Sequence, residues 1–265
     1  MLSILAAVRG AQDALGTGTG LARVGRRGLG VAAAAVLMGA TAPAGDATPG
    51  SPLMRSAPIK NSGFAGYRRN GGGANAAFNV TANFTVPQLT GCGSVTRAIA
   101  PDIDVSNGKT GSGVGLFVGC YKGKPDYFPF IYVNGANTDY PAGIVKPGDQ
   151  IMLRLSEGPS SAHLAFQDVT QKLDKTKTGS GLTDLGFPGI GDDSWFIKGA
   201  ELGVPDFGTI AFGRCVVNGS ALGAGGSAKS PAVLEYNRAT NGVLQINTGP
   251  LTAGNESFTT YFKHS

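Results

Sequence analysis

The stretch Gly111–Val133, GSGVGLFVGCYKGKPDYFPFIYV, decides the fold. Two runs rich in β-branched and aromatic residues, Val114–Val118 and Tyr127–Val133, flank Tyr121–Asp126, which holds Gly123 and Pro125. Short apolar runs separated by a Gly/Pro turn read as a β-hairpin. Successive side chains of a strand point to opposite faces. In the second run Tyr127, Pro129, Ile131 and Val133 therefore share one face, and Phe128, Phe130 and Tyr132 share the other.

The same reading extends outward. Phe78–Val86 alternates cleanly, with Phe78, Val80, Ala82, Phe84 and Val86 on one side and Asn79, Thr81, Asn83 and Thr85 on the other. Pro87 ends it, because proline cannot donate to a sheet ladder. Ile99–Val105, Gln150–Leu155, Ala162–Thr170, Ser194–Ile197, Gly208–Val217, Val233–Tyr236, Val243–Ile246 and Ser257–Phe262 are further strand candidates. Helical periodicity is absent after residue 60. Many short strands with frequent turns and no helices predict an all-β fold, a sandwich or barrel.

Composition agrees. Glycine numbers 43 of 265 residues, about 16 % against a usual ~7 %. Charged residues are 15 % and hydrophobic ones 42 %, the balance of a turn-rich globular chain rather than a disordered one. The formal charge of +5 is concentrated at the N-terminus. Arg9, Arg23, Arg26 and Arg27 against Asp13 leave 18 basic and 16 acidic residues beyond residue 44, a net charge of about +2. No basic run with interleaved aromatics remains, which argues against nucleic-acid binding.

Residues 1–44 read as an export leader. Arg23, Arg26 and Arg27 precede the apolar run Leu29–Met38, and small residues follow, with cleavage expected near Ala42 or Ala44. The run is shorter than the ~20 apolar residues that span a bilayer, so no stable membrane span is expected. Arg26-Arg27 hints at a twin-arginine signal. Residues 1–23 have no evident role, and Val24 is a plausible true start. Residues 45–60, GDATPGSPLMRSAPIK, read as a flexible linker, and 61–265 as one folded domain, expected to be a monomer.

A series of ordered motifs then makes the chain resemble a family. Asn61-Ser-Gly-Phe-Ala-Gly-Tyr67 resembles the N-W-A-G-Y opening of the glutamic peptidases, the eqolisins. Phe78–Pro87 is similar to the next strand, which ends in V-P. Asp104, Asn107 and Thr110 fit the segment after it. Val145-Lys-Pro-Gly-Asp-Gln-Ile151 resembles V-x-P-G-D-x-I, and Asp168-Val169-Thr170 fits another turn. Ser194-Trp195-Phe196-Ile197 is similar to E-W-I, and Phe207–Phe212 to F-G-T-V-x-F. The resemblance covers residues 61–262 and implies a sandwich of two bent antiparallel sheets, with a catalytic Gln/Glu pair on the concave face.

The chain departs from the family at that pair. With Gly115 and Cys120 as anchors, the Gln position falls on Gly113 and the Glu position on Tyr132; Ser194 stands where Glu is usual before the tryptophan. The resemblance implies that the Glu activates water and the Gln amide stabilises an oxyanion. Glycine offers no side-chain donor, and a phenol near pKa 10 is a poor base in acid. Losing a positioned base costs ~10²–10⁴-fold and an oxyanion donor ~10²–10³-fold. A catalytic pair is therefore not expected.

No replacement is legible. His163 reads as a solvated strand residue and His264 as part of the chain end. Asp102, Asp104 and Asp126, near the hairpin in sequence, read as solvated acids. No metal-ligand cluster and no cofactor motif is present. Phe128, Phe130, Tyr132 and Trp195 are the groove candidates for stacking an extended peptide or a glycan, or for filling the vacated cleft. The resemblance implies a Cys92–Cys120 disulfide, with Cys215 a buried free thiol. The expected function is that of a secreted, non-catalytic glutamic-peptidase relative. An acid endopeptidase with relocated residues and a ligand-free structural sandwich are the alternatives.

Overall fold

The structure, a computed structural model, describes residues 58–263 apart from 62, 226–229 and 253. The export leader, most of the linker and His264 lie outside the described residues. In chain order the strands are β1 (Ile59–Asn61), β2 (Phe64–Arg68), β3 (Phe78–Thr85), β4 (Arg97–Ser106), β5 (Gly111–Tyr121), β6 (Lys124–Val133) and β7 (Ala136–Asp139). They continue as β8 (Gln150–Glu157), β9 (Ala162–Asp168), β10 (Leu173–Gly179), β11 (Gly189–Ser194), β12 (Phe196–Ile197), β13 (Ala200–Glu201), β14 (Thr209–Val217) and β15 (Ser220–Ala221). The last are β16 (Ala232–Asn237), β17 (Val243–Thr248) and β18 (Phe258–Phe262), with a 3₁₀ turn at Arg238–Thr240.

Hydrogen bonding follows one path, β10-β9-β8-β3-β14-β18-β17-β16-β2-β11-β4-β5-β6-β7. Every pairing along it is antiparallel. The path turns back on itself, so that β4, β5 and β6 lie across β8 and β9 and two layers enclose the main core. Ile99, Ile103, Val114, Leu116 and Ile131 enter it from one layer; Leu153, Leu155, Leu164 and Phe166 enter from the other. The ends of the path also meet. Lys177 on β10 donates from Nζ to the carbonyl of Ala136 on β7 at 2.6 Å and to Thr138 Oγ1 at 2.9 Å. The all-β sandwich expected from the sequence is the observed fold.

The hairpin is longer and tighter than its sequence suggests. β5 and β6 run to Tyr121 and Lys124, leaving Lys122-Gly123 as the whole turn. Both turn residues have positive φ, 49° and 76°. That is the type I′ geometry matching the twist of antiparallel strands. Ser194–Ile197 is not one strand. β11 stops at Ser194, and the Trp195 carbonyl accepts from Leu202 N at 2.8 Å instead of from a sheet neighbour. Trp195 leaves the ladder because its ring seats in a second apolar cluster.

Cys92 and Cys120 are bridged, with Cα atoms 5.4 Å apart, so the long segment after β3 is tied to the hairpin. Cys215 is free and buried on β14, where burial pushes its thiol pKa upward. Among the described residues no helix is long and apolar enough to cross a membrane.

Candidate functional site

Strand alternation makes the site. On β4, Ile99, Ile103 and Val105 enter the main core, so Ala98, Ala100, Asp102 and Asp104 project to the opposite, outer face of the layer. Cross-strand register then aligns two rows. One is Arg68, Gly189, Asp104, Gly113, Tyr132 and Asn137, across β2, β11, β4, β5, β6 and β7. The next is Gly66, Gly191, Asp102, Gly115, Phe130 and Asp139. Glycine recurs in both rows, and larger side chains lean over it. A Cβ on Gly113 would stand 2.5 Å from the Tyr132 ring and hydroxyl. A Cβ on Gly115 would collide with Asp102 and with Phe130, and one on Gly189 with Asp104.

The face has two unlike ends. At one, Phe117 and Phe128 stack with centroids 4.3 Å apart, and Trp195 meets Phe117 and Phe130 edge-on at 5.0 and 5.4 Å. Ile197 and Leu202 pack against this cluster. Phe128 is 6 % exposed, Phe130 3 % and Trp195 9 %. Three of the four groove candidates are thus packed into one another, and Tyr132 alone is half-buried.

At the other end Arg68, Asp102, Asp104, Asp193 and Tyr132 converge. Asp102 and Asp104 are buried, not solvated in loops as their sequence neighbourhood suggests. Burial raises the pKa of Asp102 well above the carboxylate range, with Asp193, Asp104 and Asp192 adding repulsion and Arg68 opposing. Asp193 is driven the same way by burial and then by Asp104. Asp104 is raised by burial, against the pull of Arg68 and the Gly189 amide. Burial and the neighbouring aspartates also push the Tyr132 phenol up, so it stays neutral across the physiological range. Arg68 stacks over Phe64 with its guanidinium 4.4 Å from the ring centroid.

Beneath this end, toward the interior, Asp192 is raised to about 8 by burial, with Glu235 contributing. Ser194 Oγ lies within hydrogen-bond distance of Glu201 Oε1 (2.6 Å) and Glu235 Oε1 (2.8 Å). Asp126 is not in the cluster; it pairs with Gly119 toward the hairpin tip. His163 is exposed on the opposite layer, lining a shallow groove with Arg154 and Thr176. Among the described residues no group of three or more His, Cys, Asp or Glu is placed to hold a metal ion.

Arg68 and Asp193 are the site residues that the sequence did not single out. The available signal was periodicity. Asp102 and Asp104 sit two apart, each beside a core-bound isoleucine or valine, so a strand assignment alone puts both carboxyls on one face.

No family model matches the sequence, and no curated protein matches it. The fold does have solved counterparts. Scytalido-glutamic peptidase with a peptide-based transition-state analogue superposes with a TM-score of 0.58 at 14 % identity, covering 76 % of this chain and 98 % of that one. SCP-B, a member of the eqolisin family of peptidases in a complex with the tripeptide Ala-Ile-His, gives 0.56 at 13 % identity over 76 % and 98 %. At this identity the likeness establishes the fold, which is that of the eqolisins.

Proposed function

We propose that this chain is an exported, non-catalytic relative of the acid glutamic endopeptidases that holds an extended peptide on the outer, Tyr132-bearing face. The observation that carries the reading is the Gly113–Tyr132 pair. The two positions matched to the family's Gln and Glu face each other across β5 and β6, and the tyrosine ring lies where a side chain at 113 would go. A neutral phenol over a glycine supplies neither a general base nor an oxyanion amide. Peptide is favoured over glycan because sugar stacking needs ring faces open to solvent, whereas Phe128, Phe130 and Trp195 are packed together. The Cys92–Cys120 bridge fits an oxidising compartment, in keeping with export.

Digestion of casein or a peptide library by the full chain between pH 2 and 7 tests the reading. No cleavage above background is expected at any pH. The second reading, an acid endopeptidase with relocated residues, has one specific observation in its favour. Asp102, buried, and Asp193, half-buried, are two carboxyls on one face of adjacent strands, and like charges held close keep one group protonated while its partner ionises. Acid proteolysis that survives Tyr132→Phe and is abolished by Asp102→Asn would replace the first reading with this one.

A further inference from the structure

We propose that the polar end of this face, formed by Arg68, Asp102, Asp104, Asp193 and Tyr132, is a binding site for a cationic side chain, lysine or arginine, of a bound extended peptide. The inference rests on the peptide-binding reading above and names the chemistry of its polar subsite.

The geometry supplies three carboxyls against one guanidinium. Among the described residues Arg68 is the cation that acts on all three. The groups acting on Asp102 are its strand neighbour Asp104, Asp193 from the same face of β11 and Asp192 from its interior side, Arg68 from β2 and Tyr132 from β6; β5 presents only Gly113 and Gly115 beside it. Asp102 is 1 % exposed, yet its Oδ1 has no hydrogen-bond partner, and neither has Oδ1 of Asp104 or Nε of Arg68. A buried acceptor left unmatched is costly unless something completes it. Arg68, Tyr132 and Asp193 are half-buried and reach solvent, while Asp102 and Asp104 lie beneath them. The carboxyls are not grouped to share a metal ion. An ammonium or guanidinium carried on an extended chain meets these demands, because it donates several hydrogen bonds and supplies the missing charge.

Without a cation, burial and mutual repulsion hold these aspartates protonated to higher pH than usual. A bound cation favours the ionised form. Binding must therefore release protons, and it must tighten as pH rises through the cluster's titration.

Isothermal titration calorimetry of the full chain tests this with two blocked pentapeptides, Ala-Ala-Lys-Ala-Ala and the same peptide with norleucine for lysine. Each is measured at pH 5 and 7 in two buffers of different ionisation enthalpy. The lysine peptide should bind about tenfold tighter than the norleucine peptide at pH 7, with net proton release, since hydrogen bonds to charged groups carry about that much. Asp102→Asn should remove the lysine advantage and the proton release. Equal affinities without proton release would overturn the cation site and leave peptide binding standing. Binding of neither peptide would overturn both. The proton count comes from the unmodified protein, so the test survives an Asp102 variant that fails to fold.

Discussion

At position 113 the backbone is ordinary and the space is not. Tyr132 occupies the volume that any side chain there would need. Gly113→Gln alone should lower stability by ~1–3 kcal/mol, the usual cost of overpacking, read as a fall in the urea midpoint at unchanged slope. Adding Tyr132→Glu removes the clash and places a further carboxyl beside Asp104, Asp102 and Asp193, the aspartates already acting on residue 132. The double variant should therefore recover stability at pH 4, where the new carboxyl is protonated, and lose it again at pH 7. A double variant as stable at pH 7 as at pH 4 would mean that residue 132 does not look into the acidic cluster. Under the proposed function, the same pair of changes puts the eqolisin Gln and Glu at these positions. No proteolysis is expected from Gly113→Gln alone, because residues that act as a unit are strongly non-additive.

Among the elements, the β5–β6 hairpin and the segment tied to it hold the site together. The Cys92–Cys120 bridge closes a loop with a sequence separation of 28. Such a closure contributes ~3–4 kcal/mol, chiefly by restricting the unfolded chain. Mass spectrometry of the non-reduced protein should find that linked peptide. Native protein should show no alkylatable thiol and denatured protein one, since Cys215 is buried. A bridge through Cys215 would overturn the proposed matching of Gly113 and Tyr132 to the Gln and Glu positions.

Much of this level was legible in the sequence, because period-two alternation specifies which residues face which way once a strand is assigned. Tyr127, Ile131 and Val133 do face the main core, and Phe128, Phe130 and Tyr132 do share the other face. What alternation does not convey is depth. Phe128, Phe130 and Trp195 looked like groove residues, but neighbours from distant segments, Ile197 and Leu202, pack against them. Asp102 and Asp104 looked like solvated acids for the complementary reason. Charge usually marks surface, and only the pairing of β11 with β4, whose partners lie more than 80 positions apart, brings Asp193 toward Asp102.

For the whole molecule, the buried acids fix how stability responds to pH. Burial raises Asp102, Asp193 and Asp104, and takes Asp192 to about 8, against ~3.9 in an unfolded chain. A group whose folded pKa is raised favours the fold while protonated. Its contribution is complete below the unfolded value and is lost as pH rises through the folded one. For Asp192 that window runs from about 4 to about 8. Within it, one such group lowers stability by ~1.4 kcal/mol per pH unit. Thermal unfolding should thus give a higher midpoint at pH 4 than at pH 7.5, the reverse of a protein whose carboxylates are paired with cations. Asp192→Asn, which keeps shape and removes the titration, should flatten the decline by about one proton's worth. A midpoint that climbs from pH 4 to 7.5 would mean that these carboxyls are ionised and partnered in the fold. The lysine peptide should then raise the midpoint more at pH 7.5 than at pH 4, because the cation supplies at high pH what the proton supplies at low pH.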